Sequence, residues 1–323
     1  MTQGKCLSLI CVEACPGKVI LSTMVTRNLL KLTLRHPGLL VALAMAPIAG
    51  EATSPNQFKS ATLTEQFRAL LHDFRTAAAS YFSSTNDAER QSIVARVDQA
   101  TVQLLDLVEK NPKEPFAVEA LTQIVTQEYW LNHHTSHPGW GEMSPQARAI
   151  GLLLRDHLQS DQLIETCKRV NFGFRQECET FLRTVLARNP HRDVQGAACV
   201  RLAQLLAGRV EKLNLFQDQP ALVRRYEELF GKEYIDTLRG CDRANVMEEA
   251  EAFYEQAIEQ YDDVKLPYNE TVGDVARTDL FEIRHLTVGR VAQEIEGLDQ
   301  DGQPFKLSAY RGKVVLLYGW SEF

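Results

Sequence analysis

The sequence predicts a mainly α protein: a helical-repeat solenoid or irregular bundle over residues 62–286, followed over residues 287–323 by the opening strands of an α/β domain. Three observations predict it. Apolar residues recur at helical spacing almost without a break from Thr62 to Leu286, helix start and stop signals punctuate that stretch, and after Leu286 the pattern turns extended. A chain of 323 residues, 45% apolar and 24% charged, suits two or three globular domains. The formal charge of −7, with Lys and Arg interspersed among acids, lacks the clustered basic footprint of nucleic-acid binding, so no nucleic-acid partner is expected.

Residues 24–50 have the shape of a secretory signal peptide beginning at Met24. Arg27, Lys31 and Arg35 stand without an acid before the apolar run GLLVALAMAPIAG, which ends in small residues. The apolar core from Leu39 to Ile48 is about half of the ~20 residues needed to cross a bilayer, so no permanent membrane span is expected. Because export signals are read at the N-terminus, residues 1–23 read as an over-extended gene start. That segment carries Cys6, Cys11 and Cys15, a spacing open to a metal or iron–sulfur centre but with no cluster fold downstream. Residues 51–61 are a linker, and the localisation expected is periplasmic or otherwise extracytoplasmic.

The helices are justified in order. Thr62 and Glu65 form a capping box ahead of Leu63, Phe67, Leu70, Leu71 and Phe74, and Asn86 and Glu89 repeat it before Ile93, Val97, Ala100, Leu104 and Leu107. Asn111-Pro112 stops that helix, and Pro115 reopens the next where a missing N–H is harmless. Ser144-Pro145 starts a helix through Leu153 and Leu154, and Gly231 ends another after Phe230. A weak internal repeat superposes Asn111-Pro112 on Asn189-Pro190, aligning Leu104 with Leu182, Leu107 with Val185 and Ile124 with Leu202. With MEEAEAFYEQAIEQYDDV, whose alanines and aromatics have the spacing of tetratricopeptide-like hairpins, this predicts units that bury their faces by stacking.

Few side chains in the helical stretch point to chemistry. Cys167, Cys178, Cys199 and Cys241 each sit in a helical pattern beside apolar residues and read as small buried hydrophobes; a Cys167–Cys178 disulfide stays open in an oxidising compartment. None belongs to a C-x-x-C pair. His133 and His137 can share a helix face, but Pro138-Gly139 breaks the helix and no carboxylate sits at matching spacing, so His133, His134 and His137 read as a solvated loop. Asp156 and His157 read as capping or packing residues, and the sequon at Asn269 as coincidence.

After Leu286 come a short strand around Ile295, an Asp301-Gly302 turn, a second strand through Phe305 and Leu307, a turn started by Ser308, and an apolar strand from Val314 to Tyr318. The Asp-Gly pair suits a tight hairpin, and the unalternated last strand predicts burial on both faces. The pattern from Gly289 through EIEGLDQDG, Phe305, Tyr310-Arg311-Gly312-Lys313 and VVLL to Trp320 resembles the opening of redoxin domains related to TlpA-type thiol-disulfide oxidoreductases and AhpC/TSA peroxiredoxins. Val291 and Gln293 stand where that family usually has proline. RDHLQSD, FLRTVLARNPHRDVQGAA and DVARTDLFEIRHLTVG resemble the N-terminal region of exported bacterial proteins carrying such a domain.

The resemblance implies an incomplete thioredoxin-like domain and an exported thiol-disulfide oxidoreductase that needs no cofactor. Its redox partners would be protein thiols or disulfides, with a protein partner on the helical region. Trp320 and Phe323 match residues next to the active site, and the first cysteine of C-x-x-C is expected immediately after Phe323. That cysteine's thiolate, stabilised at a helix N-terminus, is the attacking group, so the chain as given is expected to be inactive. A non-enzymatic helical-repeat binding protein with a redoxin remnant is the alternative, and a peroxiredoxin with a single peroxidatic cysteine is a third reading.

Overall fold

The computed structural model of the chain describes residues 10–15 and 18–23 as backbone, together with 62–134, 144–170, 174–267, 269–287, 289–299 and 301–317. Side chains are described from Thr62 to Leu317 outside 82, 127–143, 171–173, 218, 268, 288 and 300. The expected signal peptide and linker, the rings of His133, His134 and His137, and the side chains of Cys6, Cys11 and Cys15 lie outside the described residues.

Eleven α-helices dominate the described residues: α1 (Leu63–Ser83), α2 (Asp87–Lys110), α3 (Ala117–His134), α4 (Pro145–Asp156), α5 (Leu163–Val170), α6 (Gln176–Arg188), α7 (Arg192–Asp218), α8 (Pro220–Phe230), α9 (Lys232–Arg239), α10 (Arg243–Tyr261) and α11 (Val272–His285). The expected mainly α class is what is found. The chain divides into two compact units, one covering Ala61–Phe281 and the other gathering the residues from Glu282 with the N-terminal segment.

Local signals fix most helix starts. Thr62 accepts from Glu65 N at 3.3 Å while its own N–H reaches Glu65 Oε2 at 2.7 Å, a complete capping box. Asn86 accepts from Ala88 N, but the reciprocal half is missing: Glu89 instead accepts the hydroxyl of buried Ser84 at 2.7 Å. Ser144 caps α4 through Ala147 N with Pro145 in the first turn. Pro115 lies in the turn ahead of α3, which opens at Ala117. Gly231, at φ +88°, ends α8 and precedes α9, a backbone conformation that glycine alone adopts without strain.

Packing converges on α7. It touches α5, α6, α8 and α10, and its buried residues Val194, Ala197, Ala198, Cys199, Val200, Leu202, Ala203, Leu205 and Leu206 run around the helix. A helix apolar on all sides must be enclosed rather than laid on a surface. Around it, α1 packs on α2, α3 on α4 and α5, and α8 on α9. The close approach of α7 and α10 depends on Gly196, where a Cβ would stand 2.9 Å from Tyr261 Cβ.

Two of the three apolar pairs aligned by the internal repeat share full burial, whereas Leu107 is half-buried against the fully buried Val185, and the aligned asparagines bond differently. Leu104, Leu182, Ile124 and Leu202 are all fully buried. Asn111 Nδ2 turns back to Leu107 O in its own helix, whereas buried Asn189 donates to Leu158 O at 2.7 Å and Ser160 O at 2.9 Å. Asn189 Oδ1 also accepts from His191 N. One asparagine therefore caps locally and the other ties two helix junctions together.

In the second unit, β1 (Ile10–Cys15) pairs antiparallel with β2 (Lys18–Thr23), and β3 (Glu296–Leu298) with β4 (Pro304–Lys306). Strand β5 (Val315–Leu317) pairs antiparallel with β1. The expected burial of the last strand on both faces is not found: Val314 and Leu316 are 74% and 62% exposed, while Val315 and Leu317 share a half-buried cluster with Leu286 and Ala292. Leu307, expected in a strand, is the buried first residue of a 3₁₀ turn (Leu307–Tyr310).

Asn189→Ala is expected to lower unfolding free energy by about 2 kcal/mol in urea titration, because two carbonyl oxygens lose their donor. Gly196→Val is expected to cost about 1–3 kcal/mol in the same measurement by forcing α7 off α10.

Candidate functional site

The segment singled out by sequence, residues 289–317, is built around one carboxylate. Glu294 Oε1 accepts from Ser308 N at 3.0 Å and from Ile295 N at 3.2 Å, so the residue before β3 grips the turn after β4. Ser308, through side chain and backbone, with a smaller share from Ile295 N–H, holds the Glu294 carboxyl below the usual carboxylate range. Leu307 N donates to Ile295 O, and Lys306 pairs with Glu296 across the strands at 2.6 Å, exposed on both sides. The connecting loop is closed by Asp299, whose Oδ1 accepts from Asp301 N and Gln303 N. Only Gly302 of the Asp-Gly pair has positive φ, +74°, so the loop between β3 and β4 is not the two-residue kind.

Beyond the hairpin, Phe305 and Tyr310 rings lie 5.6 Å apart and Lys313 Nζ stands 5.5 Å over Tyr310. Gly312, at φ +85°, turns the chain from Arg311 into β5. The arrangement presents a short rigid turn and a strand leading toward residue 318. It contains no cysteine, and Trp320 and Phe323 lie outside the described residues.

Of the four cysteines whose side chains are described, three are enclosed. Cys167, Cys178 and Cys199 are buried free thiols and Cys241 is half-buried, so Cys167 and Cys178 are unbridged here. Burial pushes the thiols of Cys167 and Cys199 up to about 12, and Cys199 Sγ contacts Phe253 O. A thiol held that far from its thiolate neither attacks disulfides nor binds metal readily. Among the described residues no three His, Cys, Asp or Glu side chains gather as a metal site requires.

The structure brings together two groups of side chains that the sequence left as packing. The first joins the segments RDHLQSD and ARNPHRD: Gln159 Nε2 donates to Arg188 O, and His191 Nε2 lies 3.1 Å from Gln159 O beside the Asn189 bonds. Asp156 is gripped bidentately by Arg155, whose hydrogen bonds hold its carboxyl low. His157 Nε2 is buried without a hydrogen-bond partner, and burial lowers that ring's affinity for a proton. This is a structural joint between loops, in keeping with the reading of Asp156 and His157 as capping or packing residues.

The second group is a polar cluster between α7, α10 and α11. Gln204 Nε2 donates to Asp279 Oδ2 at 2.7 Å, while Gln204 Oε1 accepts from Arg201 Nη1 at 2.7 Å. The buried Tyr254 hydroxyl bonds the same carboxyl. Arg201 Nε has no partner despite its burial. Burial raises the Asp279 carboxyl against the pull of Gln204, Tyr254 and Arg201. It also weakens Arg201's hold on its proton. No local motif announces this cluster, since its residues come from three helices; Arg201 and Gln204 within the otherwise apolar stretch 197–206 are the available signal.

A further depression of about 410 Å³ is lined by Phe216, Gln217, Asp236, Arg239, Gly240 and Arg243 and opens to solvent. Comparison with known protein families, with curated proteins and with solved structures finds no match to this chain. No helix among the described residues is long and apolar enough to cross a membrane.

Alkylation of the native protein with iodoacetamide, mapped by mass spectrometry, is expected to label Cys241 well before Cys167, Cys178 or Cys199. Rapid labelling of any of those three would contradict their enclosure.

Proposed function

We propose that this chain belongs to an exported thiol-disulfide oxidoreductase of the thioredoxin-like redoxin type, its helical unit serving as a tetratricopeptide-like repeat scaffold for a protein partner. The observation that carries the reading is the run from Gly289 to Trp320. Its sequence resembles a redoxin opening, and the Glu294-locked hairpin, the Gly312 turn and strand β5 are in keeping with such an opening. In this reading the redox pair is a C-x-x-C that follows Phe323. The described cysteines are unsuited to the role: they lie outside any such pair, and three of the four are buried.

A second reading has one specific observation in its favour. Three of the four described thiols of the helical unit are buried, and its surface is laced with ion pairs, such as Arg148 with Glu109 and Arg192 with Asp263, each at 2.6 Å. That suits a binding module without chemistry of its own.

Reading the coding DNA beyond codon 323 in all frames separates these. A C-x-x-C supports the oxidoreductase, P-x-x-x-[ST]-x-x-C supports a peroxiredoxin, and neither leaves the binding module. Residues 24–323 alone are expected to give no turnover in an insulin-reduction assay, while the product carrying C-x-x-C should turn over and lose activity when its first cysteine becomes serine.

A further inference from the structure

We propose that the seating of α11 against α7 and α10 is proton-linked through Asp279, the helix docking more firmly when this carboxyl is protonated. The inference rests on the arrangement of the cluster and not on the redox reading.

Asp279 is the group of α11 that reaches the interior of the helical unit, flanked on its own helix by buried Ala276 and Leu280. Arg277 of the same helix pairs with Asp262 and with Asp274, and both pairs are exposed. The groups that face Asp279 come from every element around it. Arg201 and Gln204 come from α7, Tyr254 from α10, and Glu270 from the turn before α11; Glu211 of α7 acts on Tyr254, and Cys167 of α5 lies by Arg201.

The nearest cation is not bonded to the carboxylate. Arg201 Nη1 donates to Gln204 Oε1, and Gln204 stands as an amide spacer between base and acid. A half-buried carboxylate with a spaced counter-ion is under-compensated. The cluster can also serve the neutral acid. A carboxyl O–H can donate to Tyr254, whose hydroxyl then accepts, while the remaining oxygen keeps the Gln204 bond. Both carboxyl oxygens are therefore engaged in either protonation state, and burial favours the neutral one.

The direction follows from linkage. Asp279's proton affinity is raised in the docked state, so its contribution to docking is full below the ordinary carboxylate range and is lost as pH rises through the raised value. Each unit of displacement changes the opening equilibrium of α11 by about tenfold.

The test is hydrogen exchange of α11 amides in the whole protein from about pH 3 to pH 8, so that the window starts below the ordinary carboxylate range, corrected for intrinsic exchange. Wild type should lose protection as pH rises. Asp279→Asn, whose amide donates to Tyr254 as the neutral acid would, should remain protected across the range. Tyr254→Phe removes a donor to the carboxylate and should move the midpoint of the response to higher pH. His157 acts in the opposite direction and cancels in the difference between wild type and variant. A flat wild-type profile, or a response retained in Asp279→Asn, overturns the proposal. If Asp279→Asn does not fold, an unmoved midpoint in Tyr254→Phe overturns it.

Discussion

The enclosure of α7 is the constraint on which the helical unit depends. Over residues 197–206 this helix carries buried apolar side chains on every side, a stretch that cannot stand at a surface, so other helices must surround it. The tightest of those contacts is made possible by the absence of a side chain at Gly196, which lets Tyr261 lie against the α7 backbone. Close approach gains dispersion contacts along the seam, and Ala250 and Ala257 on α10, both fully buried, keep the helices near each other beyond that point. A second glycine works similarly where α11 begins: a Cβ at Gly273 would collide with the Asp262 side chain.

Polar groups then decide how the enclosed helices are joined. Asn189 satisfies the carbonyls of the α4–α5 connection, so two loops far apart in sequence are held by one amide. Glu179 bridges Arg209 and Arg183, and Arg183 also reaches Glu249, linking α6, α7 and α10. Arg209 is nearly enclosed, and its 2.6 Å contact with Glu179 compensates a charge that would otherwise be stranded. In the same interior Thr122 and Thr166 share a 2.6 Å hydrogen bond between α3 and α5. Buried polar bonds of this kind specify which helix faces which, a distinction that apolar packing leaves loose.

What could be read from sequence follows the range of the interactions. Thr62, Ser144 and Gly231 act on their own turns, and the periodic leucines declare a buried face, so helix starts and the mainly α class were legible. The capping box at Asn86 was half right because Ser84 competes for Glu89, a contact across a break in the helix. Asn111 and Asn189 look alike in their local sequence, yet their amides are used differently because only Asn189 has another loop in reach. The Arg201–Gln204–Tyr254–Asp279 cluster needs three helices to exist, and no window of sequence contains it. The apolar run 314–318 suggested two covered faces, whereas Val314 and Leu316 stand exposed, because apolar composition does not say how many neighbours a strand has.

The Glu294 lock has a consequence for how the chain is made. The hydrogen bond from Ser308 spans only 14 positions, and the Ile295–Leu307 and Glu296–Lys306 contacts nest inside it. Contacts this local need little loop closure, so they form early relative to anything requiring distant partners. During synthesis the hairpin can close as soon as it is free of the ribosome, whereas α7 must wait for α10 to emerge. The C-terminal segment is thereby ordered on the timescale of a hairpin, while the centre of the helical unit is ordered on the timescale of translation.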